Sequence, residues 1–340
     1  MSEPTREGLI IGFGPEEQEE RKKEVITLDE EQTKVVEYEG SQMVVAGPGS
    51  GKTRVLTEKA RRLYNSGKSI LCICFTRAAA SEMRTRIPNI PSTTIHAYCH
   101  GTVGWKDEWG YEGLLWRFRN SEDKTRYDWI LIDECQDLNP MEFDIAMSLV
   151  EGNIFAVGDP HQSIYGFQGA LGPTVSDLLE KNGCIENVLH NNYRSSEKIV
   201  GKLNKIFERD LVGKGPRDIG TSSILFRTND VMFWVSGQLK KAGVPHTIVV
   251  SSSSDSDEKS RSVLGSSSLK LSTIHGAKGH EFDRVVLFDW YPDFKNDEEI
   301  RVYYVAMSRA SKSFLEFSNI KDVLDFAEPY KKESSIMVFG

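Results

Sequence analysis

Ala46, Gly47, Pro48, Gly49, Ser50, Gly51, Lys52 and Thr53 follow one another in an order that can hold a chain of phosphates. The glycines let backbone N–H groups curl around phosphate oxygens, and a helix beginning at the end of such a loop adds positive potential there. In this pattern Lys52 reaches the β and γ phosphates and Thr53 ligates Mg²⁺. A chance glycine-rich turn is the competing reading, and the neighbours argue against it. An apolar run at 43–46 precedes the loop and a helical pattern follows it. Further along, the apolar run 129–132 ends on Asp133 and Glu134. Asp133 is placed to hold Mg²⁺ through water, and Glu134 to orient and deprotonate an attacking water. That marks hydrolysis rather than transfer to a second substrate. Two solvated acids at a strand end are the alternative.

Such a pair needs parallel strands whose carboxyl ends lie side by side, and the chain is patterned for them. Short apolar runs at 43–46, 70–75, 129–133 and 154–157 read as buried strands separated by longer helical stretches. The same grammar restarts after about residue 185. Strands are expected at 223–227, 246–250, 269–273, 284–288 and 314–317, and helices at 196–209 and 231–242. The fold class expected is α/β, with two parallel-sheet domains at 27–187 and 188–340 behind a flexible acidic arm at 1–26. Two segments break the pattern. Residues 100–128 form a short polar and aromatic insertion containing Trp105, Trp109, Tyr111, Trp116 and Phe118. Residues 251–268, ten of them serine, read as a connector that cannot bury enough surface to fold alone.

The 340 residues suffice for two domains. No apolar run approaches the roughly 20 residues of a membrane helix, and the Glu-rich start lacks the apolar core of a signal peptide. These features predict a cytoplasmic protein with no membrane partner. The five cysteines show neither zinc-finger nor redox spacing and read as reduced thiols. A net charge of −8 does not by itself suggest a nucleic-acid partner, although a basic groove can sit on an acidic protein.

Asp133-Glu134-Cys135-Gln136-Asp137 resembles the second motif of superfamily-one helicases of the UvrD/Rep/PcrA type, and seven further segments resemble that family's motifs in its order. Residues 28–32, ending on Gln32, are similar to the adenine-reading Q motif. Residues 75–80 with Met83 are similar to motif Ia, 93–96 to motif Ib, 157–170 to motif III and 192–195 to motif IV. Residues 272–282 are similar to motif V and 303–310 to motif VI. The resemblance covers residues 28 to 318.

It implies two RecA-like domains with ATP in the cleft between them. Gln32 would contact adenine, with Arg54 and Tyr193 packing on its faces, while Gly47, Pro48, Gly49, Ser50 and Gly51 wrap the phosphates. Gln162 would sense the γ-phosphate, Arg194 and Arg309 would act as arginine fingers, and Glu281 would contact the ribose. An arginine that arrives only when a cleft closes couples phosphoryl-transfer chemistry to motion. Phe75, Tyr165 and Phe167 would stack on bases, with Arg77, Thr94, His96 and His275 adding backbone contacts. Outside this context a Phe just after a strand is more often core.

Several positions depart from the family. Gln168 stands where motif III carries an arginine, and His280 replaces an aliphatic residue. The inserted subdomains are reduced to 100–128 and 251–268. No aromatic-tipped hairpin follows motif VI, which leaves Phe326, Tyr330 and the segment 105–118 as candidates for a strand-separating wedge, the last being equally readable as a small folded cap. The expected function is an ATP-dependent DNA helicase or translocase moving 3′→5′ on single-stranded DNA and acting on tailed duplexes, in repair or replication. RNA and an accessory protein remain open as partners. The alternatives are a DNA-stimulated ATPase that remodels nucleoprotein without processive unwinding, and an ATP-switched nucleic-acid-binding module.

Overall fold

The computed structural model describes residues 27–331, apart from 123, 252–257, 264 and 266. The arm at 1–26 lies outside the described residues. Strand β1 (Gln42–Ala46) runs into the glycine loop and helix α2 (Lys52–Asn65), with helix α1 (Glu30–Glu37) packed beside α2. Next come β2 (Ile70–Ile73), α3 (Arg77–Arg86), β3 (Ser92–Thr93), α4 (Ile95–Val103), α5 (Gly110–Arg119) and β4 (Tyr127–Ile132). Helix α6 (Pro140–Ser148), β5 (Val150–Gly158), α7 (Thr174–Lys181) and β6 (Ile185–Leu189) complete the first sheet, ordered β3-β2-β4-β5-β1-β6 and parallel throughout. Val44, Leu71, Cys72, Ile130 and Leu131 are buried because helices cover both faces. All five cysteines are buried free thiols.

A short pair, β7 (Asn191–Asn192) and β8 (Val212–Gly213), flanks α8 (Glu197–Phe207). The second sheet holds β9 (Ser222–Phe226), β10 (His246–Ser251), β11 (Glu258–Val263), β12 (Leu269–Thr273), β13 (Phe282–Phe288) and β14 (Ala310–Phe317), in the order β11-β10-β12-β9-β13-β14. Helices α9 (Asn229–Lys241), α10 (Asp297–Ser308) and α11 (Ile320–Ala327) cover it together with α8. Only β11 is antiparallel to its neighbour in this sheet. Ile164, from the loop after β5, is buried in the core of the second sheet, so the two halves interlock.

Three expectations need correction. Strand β6 runs across the expected join at residue 187, because its residues pair with β1 of the first sheet. The serine-rich stretch contains β11, which pairs antiparallel with β10 from His246–Val263 to Ser251–Glu258. An added edge strand takes its backbone hydrogen bonds from an existing sheet, so it need not bury a core of its own. Phe326 and Tyr330 are no wedge. Both are buried in the core that α9 shares with the sheet, Phe326 against Phe317 and Tyr330 against Phe326.

Candidate nucleotide cleft and nucleic-acid surface

The glycine loop leaves β1 at its carboxyl end, where ligands meet open α/β sheets. Gly49 and Gly51 have φ of 69° and 88°, a region that glycine enters without strain. Three neighbours also forbid side chains along the loop. A Cβ on Gly47 would stand 2.7 Å from Leu211, one on Gly49 2.5 Å from the Arg194 Cβ, and one on Gly51 2.7 Å from the Gln32 amide. The loop is therefore gripped from both halves. Asn192 Nδ2 donates to the Pro48 carbonyl at 2.7 Å, and the Tyr193 N–H donates to the Gly49 carbonyl at 2.9 Å. Ser50 Oγ donates to the Gly47 carbonyl at 2.7 Å, and Lys52 Nζ to the Ala46 carbonyl at 3.1 Å. Gly47, Gly49, Gly51, Lys52, Thr53, Arg54 and Tyr193 line a cleft of about 720 Å³ between the two sheets.

Asp133 and Glu134 follow β4, two strands from β1. Burial and the neighbouring Glu134 charge push the Asp133 carboxyl up to about 7. A cation between the acids and a phosphate chain would relieve that crowding, and one or two carboxylates with phosphate oxygens suit Mg²⁺. Glu134 is the opposite case. Burial raises it, but Lys52, Lys278, the Gln136 amide and Arg309 outweigh burial and hold it below its ordinary value. Gln136 Nε2 donates to Glu134 Oε2 at 2.6 Å, and Glu134 itself has a left-handed backbone, φ 51°. The same stretch thus offers one crowded acid for a metal and one ionised acid for a water.

Arg309 ends α10 and is 2% exposed. Its Nη2 donates to Gln162 Oε1 at 2.9 Å, across the boundary between the sheets. Burial and the Arg194 charge bring this guanidinium down to about 9. Arg194 Nη2 pairs with Glu281 Oε1 at 2.5 Å, and Nη1 donates to the Ser308 carbonyl at 2.9 Å. Glu281, expected at a ribose, is here the carboxylate that holds Arg194, with Arg217 at 3.5 Å on its other oxygen. Lys278 Nζ, from the loop after β12, lies 2.5 Å from Asp137 Oδ2 and donates to the Gln162 carbonyl at 2.7 Å.

At the other end of the cleft, Gln32 is the third residue of a capping box with Asp29, and its Nε2 donates to the Ser50 carbonyl at 2.9 Å. Tyr193 OH donates to Asp29 Oδ2 at 2.5 Å, and Arg54 lies on the same rim. The residues expected around adenine are therefore brought together.

On the far side of the cleft four predicted rings meet. Phe75 lies 5.2 Å from Tyr165, Tyr165 lies 6.0 Å from His275, and Phe167 lies 5.7 Å from His275 edge-on. Phe75 and Tyr165 also line the cleft, so nucleotide and ring row adjoin. Phe167 is 67% exposed. Arg77, Thr94 and His96 gather elsewhere, around a hollow of about 280 Å³ between α3 and α4. Thr94 is buried there and caps α4 by accepting from the Ala97 N–H, so its hydroxyl is already engaged. His96 stacks on Tyr111 at 5.5 Å and meets Trp105 at 5.7 Å.

Sequence reasoning passes over Asn192, Lys278 and Tyr304 although they lie inside the motif segments. It also misses Arg209, which no local pattern marks.

A family model described as an AAA domain matches residues 29–168, and one described as a UvrD-like helicase C-terminal domain matches residues 250–321. The chain is similar to a probable DNA helicase of Mycoplasma pneumoniae, 28% identical over 226 residues that cover 55% of this chain and 42% of that protein. It is also similar to DNA helicase II of Salmonella typhimurium, 22% identical over 289 residues covering 54% of this chain and 40% of that protein. This chain thus spans about two fifths of the length of these relatives. Among solved structures, the Pif1 helicase from Candida albicans superposes with a TM-score of 0.55 at 14% identity, covering 89% of this chain and 99% of that one. At that identity the likeness is one of fold.

Proposed function

We propose that this chain, which belongs to the UvrD-like superfamily-one helicases, hydrolyses ATP in the cleft between its two sheets and uses the hydrolysis to step along single-stranded DNA. The observation that carries this reading is the Arg309–Gln162 contact beside Glu134, because it takes both halves of the chain to complete one phosphate site.

The chemistry follows from the residues in place. The loop amides and Lys52 bind the phosphates, Gln32 reads adenine, and Tyr193 and Arg54 flank it. Thr53 and Asp133 would hold Mg²⁺, which neutralises charge on the phosphate oxygens when bound. Glu134, kept ionised, accepts a proton from the attacking water. As water attacks the γ-phosphorus, the bond to the bridging oxygen breaks and ADP leaves with the electron pair. Arg309 and Arg194 stabilise the charge that spreads over the γ oxygens. Gln162 joins the γ-phosphate to the loop that carries Tyr165 and Phe167, so loss of phosphate shifts the ring row. Stacking on rings tolerates any base, as stepping requires. Arg77, His96 and His275 are assigned to the strand's backbone, whereas Thr94, buried as the cap of α4, holds the turn beside them.

The direction proposed is 3′→5′, with tailed duplexes as substrates. ATPase turnover with and without single-stranded DNA or RNA, followed by strand displacement on duplexes with either tail, tests the reading. ATPase insensitive to any nucleic acid would contradict it. No helix among the described residues is long and apolar enough to cross a membrane.

A further inference from the structure

Helix α8 stops two residues before the expected end, because Glu208 turns left-handed at φ 51°. The chain then folds back, and the Asn204 side chain fixes the turn by bonding both the N–H and the carbonyl of Leu211, each at 2.9 Å. Leu211 is thereby pressed against Gly47 of the glycine loop, and Arg209 is aimed across the boundary at Asp159.

Asp159 is fully buried and accepts four hydrogen bonds. Oδ1 takes the His161 N–H at 3.1 Å and Arg209 Nη1 at 3.3 Å. Oδ2 takes Gln162 Nε2 at 2.9 Å and Tyr304 OH at 3.1 Å. The two ends of a glutamine amide are nearly equal in shape, so its neighbours decide which way it points. An ionised carboxylate only accepts. Gln162 must therefore turn its NH₂ toward Asp159, which leaves Oε1 facing the Arg309 donor. A buried carboxylate keeps its charge only beside a compensating partner, and Arg209 forms that ion pair with a side chain 10% exposed.

We propose that Arg209 is a positioning residue for hydrolysis: it holds Asp159, and through Asp159 fixes the Gln162 amide with its oxygen toward Arg309. This rests on the ATPase reading above. Without Arg209 the Asp159 carboxyl gains a proton or a water, meets the Gln162 NH₂ with a donor, and the amide turns its NH₂ onto the arginine.

Steady-state ATPase assays with oligothymidylate test this. R209A should lower kcat by about 10- to 100-fold, the scale of a misplaced catalytic group, with KM for ATP changed by less than about threefold. R209K keeps the charge and should recover most of the loss, whereas R209M should not. Because Arg209 acts through Gln162, adding R209A to Q162A should cost no more than about twofold. Should R209A melt before assay, Y304F removes one hydroxyl from the same Asp159 oxygen and should lower kcat in the same direction. An unchanged kcat in R209A, a loss confined to KM, equal losses in R209K and R209M, or a full loss on top of Q162A overturns the assignment. Inactive wild-type protein overturns the ATPase reading and this one together, whereas active wild type with a silent R209A removes this one alone.

Discussion

Arg309 Nη2 and Gln162 Oε1 stand 2.9 Å apart although the two residues belong to different halves of the chain. The guanidinium is buried, with the Glu134 charge among those that favour its ionised form. On the proposed reading this buried cation meets the γ-phosphate. R309A should therefore lower ATP turnover by on the order of a thousandfold, as arginine fingers do, while leaving ATP binding within about tenfold. A stopped-flow or coupled phosphate-release assay reads this directly. Normal turnover in R309A would mean that the two halves do not share one site.

Lys52 has its ammonium on the Ala46 carbonyl at 3.1 Å, next to the loop amides. It lines the cleft, and its hydrogen bond turns it to the strand that carries the glycine loop. K52A should reduce hydrolysis by about a hundredfold or more and leave single-strand affinity within several-fold in a fluorescence-anisotropy titration. More than a tenth of wild-type turnover would contradict the phosphate assignment.

Phe167 is mostly solvent-exposed and meets His275 edge-on at 5.7 Å and Tyr165 in a tilted pair at 6.1 Å. Its removal creates no cavity. One stacked base is worth about 1–3 kcal/mol, so F167A should weaken DNA affinity by about 5- to 150-fold. Turnover without DNA should stay within about twofold. Equal losses of basal and stimulated turnover would make Phe167 a structural residue instead.

Lys59 is buried 4.6 Å above the Trp129 ring and donates to the Val36 carbonyl at 3.1 Å and to the Tyr38 carbonyl, closing the end of α1. Burial, and then Arg62, bring its pKa down to about 8. A base whose pKa is depressed on folding binds its proton more weakly in the native state, so stability rises with pH between the folded and unfolded values. Wild type should gain on K59M by on the order of 1–2 kcal/mol from pH 8 to 9.5. Melting both proteins at the two pH values checks it. Parallel curves would show that Lys59 titrates normally.

Much of this site is legible in the amino-acid sequence. The glycine loop and the Asp133–Glu134 pair lie at the ends of strongly apolar strands, and there residue type and backbone requirement agree. The pairing of Arg309 with Gln162 can be expected only as a role, since 147 residues separate them along the chain. Strand β6, Ile-Glu-Asn-Val-Leu, is hidden because only Leu189 of it is buried. Strand β11 is hidden because serine composition says nothing about a backbone that borrows its hydrogen bonds from β10. Arg209 gives no signal because its place depends on the left-handed Glu208 and on Asn204 gripping Leu211.

On the proposed reading, stepping and strand separation draw on different parts of the chain. Stepping needs the cleft, the arginines and the ring row, and all are in place. Unwinding also needs a grip on the duplex and a wedge at the junction. The segment between motifs Ib and II folds as a cap. Leu114, Leu115 and Phe118 of α5 are buried in the first core, Tyr111 donates to Glu142, and Arg119 pairs with Asp144 at 3.0 Å. These contacts tie the segment to α6. Trp105 and Trp116 remain exposed on its edge and are the best remaining wedge. Opening each base-pair step costs about 1.4 kcal/mol, which hydrolysis can supply only where geometry directs it. The chain should therefore show ATPase strongly stimulated by single-stranded DNA and 3′→5′ movement in a streptavidin-displacement assay. Strand separation should be confined to short duplexes with a 3′ tail. W105A with W116A should abolish that separation while sparing streptavidin displacement. Processive unwinding by the monomer would sink this account, and opening of 5′-tailed duplexes alone would reverse the direction.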